Sequence, residues 1–434
     1  MAKKIPTTLF SRGTKLMGLA SRLAMDELGS RLKTWEDEKK KLEGRLEMAR
    51  DVVQTLSHLK GASMKLGQLI SLDLGEYVPP EIMKVIEQLQ NQSTFLPYEQ
   101  IEKILEEELK EKLSSFEKIQ PRPIAAASIG QVHKARLNGK DVVIKIQYPG
   151  VSESIPSDLK LLKLIVKQLT FFQGKDVDFS AFFLEVEEVL RKEADYDHEL
   201  KMHTLYRKLF LDSPYVVPEV FSEYSTNKVL TQEFIQGLSF SEWLETAPSQ
   251  SEKDRLSNLF LTLYMEELFH FGVVQTDPNP GNFLITPKNE IALLDFGAAK
   301  EYSEEFVEGY RQVLVAAYKN DRALLLSESE RLGFIDAREN KEVKEIYLRM
   351  VDVLAAPFRV NKPFDFTDKS FLQESRDLSW ALSRKCRYSP PPKDLLFLHR
   401  KLVGMFVFIK KLDSKIILHD YWHLVEKPHF LRRS

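Results

Sequence analysis

"VQTDPNPGN", residues 274–282, holds two prolines, a glycine, two asparagines and an aspartate, the composition of an ordinary surface turn. Its surroundings argue otherwise. An apolar helix-like stretch precedes it and the strand-like "IALLDFG" (291–297) follows, bringing a second aspartate, Asp295, thirteen residues after Asn282. Asp277 and Asn282 are five apart across the turn. Two carboxylates and an amide oxygen gathered by one strand–turn–strand unit are oxygen ligands suited to Mg2+. Magnesium in turn suits a nucleoside triphosphate.

The rest of the chain is compatible with such a site. It has 434 residues, 43% hydrophobic and 29% charged, enough for a large core and two or three domains. Lys and Arg number 62 against 64 Asp and Glu, a net charge of −2, which argues against nucleic acid as a main ligand. The single cysteine, Cys386, excludes an internal disulfide framework and a Cys-based zinc site, and suits a reducing compartment. No apolar run reaches the ~18–20 residues of a membrane span. Residues 1–25 carry five basic residues and no acid, with Leu16, Leu19 and Leu23 at helical spacing. An organelle transit peptide, a membrane-surface helix and the first helix of the fold all fit that pattern.

Working outward, residues 1–60 read as basic and amphipathic helices, with Leu42, Leu46, Val53, Leu56 and Leu59 three to seven residues apart. Residues 61–115 read as a further helical unit, punctuated by Gly61, Gly67, Gly75 and the Pro79-Pro80 stop and including a helix at 97–114. The period then changes. "QVHKARL" and "DVVIKIQ" flank Asn138-Gly139, a strong hairpin signal. Helices are expected at 157–172 and 180–205, then strands at "VVPEVF" and "KVLTQEFI". Helical pattern fills 239–271, and 303 to the end is nearly all helix. The expectation is an α+β, two-lobed protein: a β-rich lobe with inserted helices at 116–236 and a helical lobe at 237–434.

Other residues able to do chemistry fall in a meaningful order. Lys145 sits mid-strand, leaving one face while Ile144 and Ile146 leave the other. A lysine there needs a charged partner or a phosphate unless it snorkels to the surface. "RKEADYDHEL" supplies Glu193, Asp195 and Glu199 on one expected helix, with Asp195 and Glu199 an i,i+4 pair, although a solvated acidic face has the same pattern. Strand lysine, helix glutamate, D-x-x-x-x-N and D-F-G, in that order, form the protein-kinase set. The glycine-rich G-x-G-x-x-G is missing. Ala125-Ala126-Ala127-Ser128-Ile129-Gly130 stands in its place, and alanines restrict φ where glycine would not.

Together these features resemble the UbiB-type, or aarF-domain, atypical kinases, over residues 58 to 420. The family's K-x-G-Q signature is matched by Lys65-Leu66-Gly67-Gln68, its alanine loop by Ala125 to Ser128, and its strand lysine by Lys145. Its E-x-D motif is matched by Glu193-Ala194-Asp195, and Glu199 matches the glutamate that pairs with the strand lysine. Glu233, Phe234 and Ile235 match the hinge near the adenine. Gln275 and Asn279 stand where many members have histidine; this "QTDPN" form, with "LHRKLVG" at 398–404, is similar to the coenzyme Q biosynthesis branch.

The resemblance implies a protein-kinase-like two-lobe fold with an N-terminal helical extension carrying K-x-G-Q. Lys65 and Gln68 are then placed over the active site and engaged by Glu193 and Asp195, which blocks protein substrates and favours ATP hydrolysis or phosphorylation of a small molecule or lipid. ATP and Mg2+ are the implied cofactors, with Lys145 on the phosphates, Glu199 positioning it, Asn282 and Asp295 on the metal and Asp277 as base. Ubiquinone or related isoprenoid-lipid biosynthesis is the implied setting. A membrane surface or quinone precursor and a biosynthetic protein complex are the implied partners, without nucleic acid. The location is cytoplasmic, peripheral to the inner membrane, or mitochondrial in a eukaryote. Two further readings stay open: a catalytically silent, nucleotide-gated scaffold, and a phosphotransferase of the aminoglycoside type.

Overall fold

The computed structural model describes residues 95–426 except 128, 172–179 and 389–391. The K-x-G-Q segment and the basic N-terminus lie outside the described residues. The chain divides into two compact units. One holds the described residues through Lys201 with Glu219–Phe234; the other holds Met202–Pro218 with the described residues from Ile235 on. The segment Met202–Pro218, read from sequence as part of the first lobe, thus clusters with the second.

The first unit is built on an antiparallel sheet. Its strands are β1 (Phe116–Ile119), β2 (Ala125–Ala127), β3 (Gly130–Leu137), β4 (Lys140–Gln147) and, after β5 (Tyr215–Val216) of the second unit, β6 (Val229–Glu233). Their order is β1-β3-β4-β6, with β2 pairing the other end of β3. Asn138 and Gly139 both have positive φ, 48° and 78°, the two-residue turn that matches strand twist. Ile144 and Ile146 are buried with Leu137, Val142 and Val229 on one sheet face. The helix Tyr98–Leu109, read as part of the N-terminal extension, places Ile101, Leu105 and Leu109 in the same cluster.

Two sequence expectations need correction here. The helix expected at 180–205 is two helices, Ser180–Glu193 and Tyr196–Leu209. Asp195 lies in the break, and its Oδ1 accepts from His198 N at 3.0 Å, so it caps the second helix. It therefore shares a helix face with neither Glu193 nor Glu199. The strand expected at "VVPEVF" is confined to β5 and an isolated bridge at Val220, because Pro218 has no N–H for a ladder.

The second unit is mostly helical. Gln250–Met265 runs into a π-helical turn, Glu266–Phe271, which ends at Gly272 in the left-handed region. β7 (Val273–Gln275) follows, then the turn, then β8 (Phe283–Ile285) and β9 (Ile291–Leu293). β5, β9 and β8 form one small sheet, while β7 pairs with β10 (Ala299–Glu301). Helices Glu304–Tyr318, Lys341–Ala355, Lys369–Lys385 and Lys393–Lys411 surround a large apolar core. Among the described residues, no helix is long and apolar enough to cross a membrane.

Candidate functional site

The predicted residues fall in two groups, one in each unit. In the first, β4 holds Lys145 between Val132 of β3 and Leu230 of β6. Its Nζ donates to both carboxylate oxygens of Glu199, each at 2.9 Å. The Glu199 side chain is 1% exposed and that of Lys145 is 11% exposed, so the pair is largely shielded from water. The Tyr196 ring lies 5.2 Å from Nζ and adds a cation–π contact. Two charges at this depth persist because each satisfies the other. An ammonium group of this kind is the chemistry by which a lysine holds phosphate oxygens.

The neighbours of that pair are less tightly defined. Ala125, Ala126 and Ala127 pair with Val132, Gln131 and Gly130 as an edge strand; Ser128 is outside the described residues. Glu233 ends β6 opposite Val142, and its Oε2 accepts from Glu219 N at 3.1 Å. The Phe234 ring is capped by Lys134 Nζ at 3.9 Å. Ile235 opens the second unit. Glu193 is buried at the end of its helix and Asp195 is exposed, while Lys65 and Gln68, their expected partners, lie outside the described residues.

The second group is the opening turn. Asn279 Oδ1 accepts from Gly281 N at 3.0 Å and fixes a one-turn 3-10 helix over Pro280–Asn282. Asn282 then donates Nδ2 to Asp277 Oδ2 at 2.9 Å. The Asn282 carbonyl accepts from Leu294 N at 3.0 Å, so Asp295 follows a residue already tied to the turn. Asp295 Oδ1 accepts from Gly297 N at 3.0 Å. Phe296 is fully buried against Tyr206 and His203, with ring centroids 4.4 and 4.7 Å away. The aromatic residue anchors the loop and its carboxylate neighbour stands on it. Among the described residues no group of three His, Cys, Asp or Glu could hold a metal. A cation here would draw on the turn's amide oxygen as well as its carboxylates.

What holds the turn from behind was not read from the sequence. Glu267, in the π-helical turn, accepts on Oε1 from Tyr206 OH at 2.9 Å and from Gln275 N at 3.3 Å. Its Oε2 accepts from Lys401 Nζ, 134 residues away, and both side chains are at most 3% exposed. Burial pushes the Glu267 carboxyl up and the Lys401 ammonium down, and their mutual attraction opposes both shifts. Asp277 adds a further attraction on Lys401. Gly404, one turn along the same helix, backs Pro278: a Cβ there would lie 2.1 Å from Pro278 Cβ. The available signal was weak, two charged residues inside each of the apolar runs "MEELFHF" and "LHRKLVGMFVF". The Gln275 side chain is buried with neither amide atom hydrogen-bonded, which is costly and suits a site completed by water or a reactant.

A sheet lysine bonded to a helix glutamate, with an Asp–Asn turn ahead of Asp-Phe-Gly, defines a kinase-like protein. Residues 88–329 match the model of the ABC1 atypical kinase-like domain. The chain belongs to that family. It is 36% identical to a mitochondrial atypical kinase, COQ8B, of Danio rerio, over all of this chain and 71% of that one. It is also 36% identical to the mitochondrial atypical kinase COQ8 of Saccharomyces cerevisiae, over 84% of this chain and 73% of that one. The structure of Rv3197 from Mycobacterium tuberculosis, solved as an erythromycin complex, matches with a TM-score of 0.61 and 26% identity. That match covers 90% of this chain and 98% of that one.

Proposed function

We propose that the protein is a Mg-ATP-dependent atypical kinase or ATPase that supports synthesis of ubiquinone or a related isoprenoid lipid. The observation that carries the nucleotide reading is the Asn282–Asp277 hydrogen bond, with Asp295 one residue beyond the Asn282–Leu294 tie. The residues fit a metal. Asn282 commits its Nδ2 to Asp277, so its Oδ1 and the Asp295 carboxylate are the oxygens that would hold a cation. Such a small protein contribution is what Mg2+ tolerates, since it keeps water and phosphate oxygens in its shell. When bound, Mg2+ neutralises charge on the transferring phosphoryl group.

In this reading Lys145, oriented by Glu199, takes the α- and β-phosphates, and Asn282 and Asp295 take the metal. Asp277 orients the attacking group and accepts its proton. Ala125 to Ser128 cover the phosphates, and Glu233, Phe234 and Ile235 meet the adenine. Lys65 and Gln68, engaged by Glu193 and Asp195, keep protein substrates out, so the acceptor is water, a small molecule or a lipid. The mitochondrial COQ8 names of the relatives and the basic segment 1–25 support work at an inner-membrane surface beside biosynthetic partners.

The test is ATP turnover and nucleotide binding by the whole chain, with Mg2+ and with EDTA, in the presence and absence of anionic vesicles. Turnover that disappears with EDTA is expected. Nucleotide binding without turnover selects the silent scaffold instead, and neither binding nor turnover sinks the reading. A second expectation concerns Gly404→Ala. The new methyl displaces Pro278, and a shift approaching 1 Å at a catalytic turn costs on the order of 10²-fold in rate. Alanine is the better helix former by about 1 kcal/mol, which offsets part of the overpacking cost of about 1–3 kcal/mol, so the unfolding temperature should fall only modestly. Unchanged turnover would show that Gly404 does not set the turn.

A further inference from the structure

The helical unit also contains a cavity unconnected with phosphate chemistry. A cavity of about 480 Å³ lies among the helices Glu304–Tyr318, Lys341–Ala355, Lys369–Lys385 and Lys393–Lys411. Among the described residues, no Lys, Arg, Asp or Glu side chain lines it. Its size falls inside the range of small-molecule sites, roughly 300–1,000 Å³. Apolar cavities of only about 150 Å³ already take up small hydrocarbons, and they stay dry otherwise.

The wall helix Lys369–Lys385 makes the case stronger. It turns Phe371 and Leu382 to the cavity, yet none of its residues is buried. An amphipathic helix of this length normally buries its apolar stripe against something. Leu354 on the neighbouring helix lines the same space and is 41% exposed. The polar groups of its wall are few, among them Ser379, Ser383 and His399.

We infer that this cavity is a binding site for an uncharged, mainly apolar lipid-like molecule. A charged ligand would meet no countercharge in the wall. A peptide segment would bring a row of backbone N–H and C=O groups into a cavity with too few partners for them. A chain of hydrocarbon with a single polar end leaves neither problem. This goes beyond the nucleotide site and does not depend on it.

The test uses the whole chain and farnesol, an uncharged isoprenoid alcohol, followed by calorimetry and by thermal unfolding without nucleotide. Saturable binding near the micromolar range and a concentration-dependent rise in unfolding temperature are expected. Leu354→Trp and Ser383→Trp fill the space and should each weaken binding by ~10-fold or more. If one filled variant fails to fold, the other carries the comparison. No saturable binding, or equal binding in the filled variants, overturns the inference. So does farnesol binding that appears only after residues 427–434 are removed, since the chain's own end would then be the occupant. Loss of ATP turnover with farnesol binding intact separates failure of the nucleotide reading from failure of this one.

Discussion

Asp295→Asn is expected to lower Mg-ATP turnover by about 10³-fold, because a metal ion supplies several kcal/mol of charge stabilisation and this carboxylate is proposed to hold it. The substitution is nearly isosteric. Asparagine keeps an Oδ1 that can accept from Gly297 N, the contact made by the native carboxylate. Phe296 stays buried beneath it, so the unfolding temperature should not move. A parallel Asp277→Asn variant separates two roles. Its oxygen can still accept from Asn282 Nδ2, so Mg-dependent nucleotide binding should persist while turnover falls. Equal turnover by the parent and Asp295→Asn would end the enzymatic interpretation.

Lys401→Met should have the largest effect on stability, a loss of about 3–5 kcal/mol in urea unfolding, since it strands a buried carboxylate. Glu267 would then protonate or draw in water, and either response weakens its hold on Gln275 N and Tyr206 OH. The double change Lys401→Met with Glu267→Leu removes both charges. It should recover most of the lost stability, as apolar replacements of buried ion pairs commonly do. Turnover should remain low in the double variant, because Gln275 N has still lost its acceptor. Recovery of both stability and turnover would mean that the pair serves folding alone.

The parts of the fold that sequence revealed are those encoded locally. Asn138-Gly139 has one comfortable conformation between alternating apolar residues, and that alone places Lys145 on the face away from Ile144 and Ile146. The turn at 274–282 was similarly legible, since its Asn279 cap and prolines act within a few residues. The break between Glu193 and Tyr196 was not, because no proline or glycine marks it and the acidic spacing fits one long helix equally well. Asp195 as an N-cap is the signal that was available there. β5 pairs in parallel with β9, and Lys401 meets Glu267 across 134 residues. Neither partnership leaves a periodic trace in its own segment. Periodicity identifies which face is buried, not what it is buried against.

The anchoring of the turn also bears on where a minimal working unit can end. The matched kinase-like region stops at residue 329, well before Lys401 and Gly404. A chain trimmed to that boundary would retain every kinase-set residue from Lys145 to Asp295. It would also leave Glu267 without its cation and Pro278 without its backing. The matched boundary and the extent of the turn's support therefore differ here: the helix Lys393–Lys411 holds the turn from behind, and exchanging domains between relatives requires carrying it along.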